Sequence, residues 1–161
     1  MQPMELLQDW RRRAQIRGHA HTRAAVSFDR RSRLFGGTVI VFSTAVGTSI
    51  FAGAGTSPTL KTIAGLLSLG AAVLSSLQTA LKYPEIAVQH KSSAAKFGSL
   101  RRQIEVQMVS PIPQDSSALF TKLQLEFDAL VEQSPAIPQR IYDKSKAVVT
   151  ADQTRANDSD K

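Results

Sequence analysis

The chain has no cysteine, which excludes disulfides, thiolate chemistry and Cys-ligated zinc. No Gly-rich phosphate loop, nucleophile elbow or pair of catalytic carboxylates can be found along it, so no enzymatic activity and no cofactor are expected. Neither an internal repeat nor the alternation of a half-buried strand occurs, and the expected fold class is all-α. Aromatic residues make up only 6% of the sequence. Any binding of nucleic acid by base stacking is therefore limited.

The most consequential absence is charge. From Leu34 to Leu60, and again from Thr62 to Leu81, there is no Asp, Glu, Lys or Arg, and Lys61 alone interrupts the stretch. A helix rises about 1.5 Å per residue, so about 20 apolar residues cross a hydrocarbon layer of about 30 Å. Both runs reach that length, and residues 34–81 are expected to form a transmembrane hairpin with spans at about 34–54 and 62–81. The alternative is a buried helical hairpin of a soluble protein, although a soluble helix normally carries charges on one face. A cleaved signal peptide is not expected, because the first run begins behind an arginine-rich segment.

What is present sets the orientation. Eight arginines precede the first run (Arg11, Arg12, Arg13, Arg17, Arg23, Arg30, Arg31 and Arg33), and Lys82, Lys91, Lys96, Arg101 and Arg102 follow the second. By the positive-inside rule both termini are cytoplasmic, with the turn around Gly53, Gly55 and Pro58 on the far side. The formal charge is +7, and it is concentrated near the proposed membrane segment, since residues 114–161 are slightly acidic.

Outside the hairpin three regions are expected: a basic cytoplasmic helix over 1–33, a cytoplasmic helical region over 82–149, and a disordered polar tail over 150–161. In the first, Leu7, Trp10, Ala14, His21, Ala24 and Phe28 share one face, with an interruption at Gly18. In the second, Tyr83 and Pro84 mark a break, after which Ile86, His90, Ala94, Phe97, Ile104 and Met108 recur at helical spacing. Ser110 to Gln114 reads as a linker, with Asp115, Ser116 and Ser117 as N-cap candidates for a helix bearing Leu119, Phe120, Leu123, Phe127, Leu130 and Val131. Ser134 to Pro138 is a second breaker.

Candidate functional residues fall into three groups. Ser43, Thr44, Thr48 and Gln78 are polar groups in the runs, where they line a pore or pack helices; spacings such as Ser43-xxx-Gly47 and Ser68-xxx-Ala72-xxx-Ser76 permit close backbone approach. Gly36 and Gly37, at the membrane entrance, are candidates for a hinge or for local backbone packing. The cations Arg11, Arg12, Arg13, Arg17, Lys91, Lys96, Arg101 and Arg102 suit anionic headgroups, and in an oligomer they form a field for a phosphate-rich ligand. No metal site is expected: His19 and His21 lie two apart, roughly 200° around a helix. His90 is expected to be packed and hydrogen-bonded.

The order of these segments resembles the SLATT family of two-transmembrane effector domains. The resemblance is carried by the arm at Arg17 to Ala25, spans ending near Phe51 and Leu81, Glu85-Ile-Ala-Val-Gln-His90, the Phe97 to Ile104 stretch with Leu100-Arg-Arg, and Ser134-Pro-Ala-Ile-Pro138. It covers about Met4 to Val149. It implies a homo-oligomer of four or more copies in the bacterial inner membrane, acting as a pore or ion-channel effector of anti-phage defence that ends in membrane disruption and cell death or arrest. It also implies gating by a nucleotide or oligonucleotide messenger, cyclic or linear, from a nucleotidyltransferase or sensor protein. Two rival classes remain: a non-conducting membrane anchor or scaffold recruiting a soluble partner through Leu119 to Val131, and a nucleic-acid-binding protein using the basic arm.

Overall fold

The computed structural model describes residues 3–51, 58–110 and 117–159, with side chains described for 3–48, 58–110 and 117–155. Every element among the described residues is helical: α1 (Pro3–Phe51), α2 (Pro58–Leu81), α3 (Tyr83–Val109), α4 (Ser117–Gln133) and α5 (Gln139–Ser159). The expected turn at Gly53 and Gly55, the linker at Pro111 to Gln114 and the N-cap candidates Asp115 and Ser116 lie outside these residues. Proline marks two of the starts. Pro58, expected in the turn, instead opens α2 four residues before the expected start of the second span, and Pro84 is the second residue of α3, both places where a missing N–H costs no helical bond. Lys82, at a φ of 46°, separates α2 from α3, so the expected break at Tyr83–Pro84 is present.

The chain divides into two compact units, one from residues 1–26 with 86–161 and one from Ser27–Glu85. The first is organised around Leu7, Leu100, Ile104 and Leu123, with Trp10, Met108, Leu119, Phe120, Phe127 and Leu130 packed against them. Within it, α1 and α3 run antiparallel: Gly18 lies against Phe97, His21 against His90, and Arg11 against Glu105. Fully burying a side chain such as Leu100 contributes roughly 1.5–3 kcal/mol. The buried positions of α3, among them His90, Ser93, Phe97, Leu100 and Ile104, fall three and four apart, so one stripe of the helix is apolar or satisfied.

Three expectations are corrected here. Helix α1 is not interrupted at Gly18; the residue's lack of a side chain lets α3 approach, with Phe97 Cβ 3.5 Å from where a Cβ would stand, and that packing offsets glycine's helical penalty of about 1 kcal/mol. The stripe from Leu119 to Val131 is not an outward docking face, because Leu119, Leu123, Phe127 and Leu130 complete the unit's own core. The expected tail from Thr150 is helical through Ser159. No Gly or Pro stops α5, and Val149 is buried in the core, so a helix already anchored propagates at little cost.

In the second unit, the C-terminal part of α1 meets α2, again antiparallel. Gly36 faces the Gln78 amide, Gly70 faces the Phe42 ring, and Tyr83 lies near both Phe28 and Phe35, with ring centroids 6.0 Å and 5.8 Å away. Half-buried positions recur as Ser32, Phe35, Val39, Phe42 and Val46 on α1 and as Leu67, Ala71, Leu74, Gln78 and Leu81 on α2. That alternation of three and four is the spacing of a coiled-coil seam. Away from the seam the unit exposes large apolar side chains: Ile40, Val41, Leu66, Leu69 and Val73 are all more than half exposed. Helix α2 has no buried residue. Among the described residues, the helical stretch Pro58–Val109 holds a segment long and apolar enough to cross a membrane by length and composition.

Candidate functional site

The eight cations singled out in the sequence do not converge. Arg11, Arg12 and Arg13 are consecutive on α1, so their side chains leave the helix about 100° apart. Arg11 meets Glu105 at 2.9 Å, Arg101 reaches the same carboxylate at 3.6 Å, and Arg13 meets Asp9 at 2.7 Å. Three of the eight thus face carboxylates, with Arg11 and Arg101 sharing one between them. Arg12 contacts Thr150 at 3.4 Å, while Lys91, Lys96 and Arg102 are exposed. Three of the eight line clefts: Arg13 beside Asp9 and Asp128, Lys96 beside Gln89 and Gln133, and Arg17, whose cleft wall holds no carboxylate and whose guanidinium lies 6.0 Å from the centroid of the Phe127 ring.

Candidate residues of the second unit separate as well. Gln78 is half-buried in the seam with its amide over Gly36. Gly36 therefore serves close packing, whereas Gly37 faces open space, and α1 passes through both without a break. Ser43, Thr44 and Thr48 are exposed, off the seam. Thr48 donates to the Thr44 carbonyl at 2.9 Å, and Ser76 donates to that of Ala72 at 2.9 Å, the back-bonding by which a helix satisfies hydroxyls without a partner helix. The Ser68, Ala72 and Ser76 spacing is likewise exposed and is not the contact between α1 and α2.

The most unusual chemistry lies at the pair His21 and His90. Both rings are buried, at 0% and 1% exposure, and their Nδ1 atoms stand 2.8 Å apart. At that distance one Nδ1 carries a proton and donates to the lone pair of the other. Phe97 stacks on His21, with centroids 5.5 Å apart and planes at 14°. Burial, the His90 ring and the Arg17 cation together lower the pKa of His21 to about 4, and burial lowers that of His90. The pair is neutral near pH 7. His90 was expected as a packed, bonded histidine and is one. The partnership with His21 had no local signal, because the two residues are 69 positions apart.

The other edge of the His21 ring is unsatisfied: Nε2 is buried and has no hydrogen-bond partner. His21 also belongs to the wall of a cleft of about 400 Å³, with Arg17, Val131, Gln139, Tyr142 and the breaker Ser134 to Ile137. His19 takes no part in this wall, and among the described residues no group of three or more His, Cys, Asp or Glu side chains is placed to hold a metal. No protein-family model, curated protein or solved structure matches the chain.

Proposed function

We propose that this protein is a subunit of an oligomeric membrane pore, an effector whose opening is controlled through its cytoplasmic helices. In this reading, residues 34–81 cross the bacterial inner membrane twice as a hairpin, both termini are cytoplasmic, and four or more copies assemble. The signal is a nucleotide or oligonucleotide supplied by a partner nucleotidyltransferase or sensor, and opening disrupts the membrane of an infected cell. The resemblance to SLATT effectors motivates the biological setting.

The observation that carries the reading is the apolar exterior of the second unit. Leu66, Leu69 and Val73 on α2, with Ile40 and Val41 on α1, lie outside the seam with more than half their surface uncovered, an arrangement that water disfavours at about 25 cal/mol per Å². Lipid or neighbouring subunits remove that cost. Helix α2 is about 36 Å long, enough for a hydrocarbon core of about 30 Å. Gly65, Ser68, Ala72, Ser75 and Thr79 form an exposed small-residue face on α2, of the kind through which membrane helices associate. The anchor reading loses its docking stripe, since Leu119, Leu123 and Leu130 are used internally.

The test is release of a trapped dye from liposomes containing the purified protein. Release that depends on protein density and is blocked by Ser68→Leu and Ala72→Leu supports the pore. Insertion without release at any density, with or without added nucleotide, leaves the protein a non-conducting anchor.

A further inference from the structure

We propose that the cleft between Arg17, His21 and the start of α5 binds the phosphoryl group of a small ligand. Three independent features point one way. The His21 Nδ1 is committed to His90 at 2.8 Å, and no residue of α3 lines the cleft, so the opposite ring edge, with Nε2, is the one on the cleft side. That nitrogen is buried and has no partner within the protein. When His90 donates at Nδ1, the neutral His21 is the Nε2–H tautomer, a donor awaiting an acceptor.

Arg17, in the same wall, adds a guanidinium whose paired N–H groups match phosphate oxygens. The third feature is the start of α5. Gln139, its first residue, and Tyr142 line the cleft. The N–H groups of Ile141 and Tyr142 close onto the Pro138 carbonyl at 2.9 Å and 3.2 Å, whereas those of Gln139 and Arg140 have no acceptor within the helix. A helix N-terminus presents such donors with a partial positive charge.

No Asp or Glu is among the wall residues, so nothing there competes for the cations. Two other polar groups are already engaged: Ser134 Oγ donates to the Leu130 carbonyl at 2.6 Å, and the Gln139 amide donates to Asp143 at 3.0 Å. With His90 donating to His21, the open donors are those of Arg17, His21, the Tyr142 hydroxyl and the first turn of α5, an arrangement for an oxyanion rather than a cation. A cleft of about 400 Å³ lies in the range of small-ligand sites, about 300–1,000 Å³. This deepens the proposed function by assigning the phosphate-receiving role to Arg17 among the eight cations, and only the regulatory meaning of binding rests on that reading.

The experiment uses the full-length protein in detergent micelles with ¹⁵N-labelled histidine, titrated with inorganic phosphate, adenosine 5′-monophosphate or glycerol 3-phosphate. A saturable change at the His21 Nε2 resonance is expected with at least one probe, weakened about tenfold or more in Arg17→Gln and unchanged in Lys122→Gln. Arg17→Gln retains the His21–His90 pair, so its resonances report that the variant is folded. Tightest binding of the nucleotide identifies a nucleotide source, and tightest binding of glycerol 3-phosphate identifies a lipid headgroup; either supports the site. No saturable change with any probe on the unmodified protein, or equal binding by Arg17→Gln, overturns it. Dye release is independent of this readout, so a pore without binding removes the site alone, and binding without a pore removes the channel reading alone.

Discussion

Acidification should unfold the first unit through His21 and His90, with a magnitude set by burial. Unfolded, His21 titrates at about 6.5, whereas in the structure its pKa is lowered to about 4. Between those values the unfolded chain holds the proton and the native chain does not, so stability falls as pH drops. Each tenfold weakening of proton binding on folding corresponds to about 1.36 kcal/mol, giving a loss on the order of 3 kcal/mol for His21 that is complete below about pH 4. His90, lowered by burial, acts in the same direction. Two protonated rings also cannot share an Nδ1–Nδ1 hydrogen bond. The single tryptophan, Trp10, packs edge-on to Phe120 with centroids 6.2 Å apart and reports this core. Urea unfolding in micelles followed by its fluorescence, at pH 7.5 and 4.5, should show the loss. In the double variant His21→Phe, His90→Leu the pH-dependent difference should shrink by on the order of 3 kcal/mol, even if absolute stability changes. An identical difference in wild type and double variant would show that the histidine pair does not set the acid sensitivity.

Other outcomes follow from packing and charge. Leu100→Ala should cost about 2–5 kcal/mol in the same urea assay because Leu100 is fully buried, whereas Leu125→Ala, at an exposed position, should stay within about 0.5 kcal/mol. Arg11→Ala should lower stability by less than about 1 kcal/mol, an effect fading with added salt, since its ion pair with Glu105 is partly exposed and Arg101 shares the carboxylate. Lys82→Gly should raise the thermal midpoint, because a left-handed backbone costs a side-chain-bearing residue about 1–2 kcal/mol that glycine avoids.

Much of the helical layout can be read from local sequence. The Tyr83–Pro84 pair marks the start of α3, Ser134 to Pro138 separates α4 from α5, and the recurrence of His90, Phe97 and Ile104 marks the inner stripe of α3, whereas α2 starts at Pro58, a residue that reads as part of the turn. Local reading fails where a distant partner decides. Gly18 reads as a breaker until Phe97 is placed against it. Leu119 and Leu123 read as a docking surface until Leu7 and Leu100 cover them. In α2 the small-residue spacing points to Ser68 and Ala72, yet the contact with α1 uses Leu67, Ala71, Leu74 and Gln78, a heptad pattern that a run without charged residues obscures. The His21–His90 bond and the cleft beside Arg17 join segments far apart in sequence, and no motif announces either.

The pore reading stands on the apolar exterior of α1 and α2 facing lipid. Single spin labels at Leu66, Leu69 and Val73, in the protein reconstituted into liposomes, measure this through relaxation by oxygen, which partitions into hydrocarbon, and by a water-soluble nickel chelate. Lipid exposure gives strong oxygen and weak nickel relaxation at all three, with lower oxygen access at the seam position Leu74. Strong nickel relaxation at Leu66, Leu69 and Val73 would place that surface in water and remove the membrane hairpin.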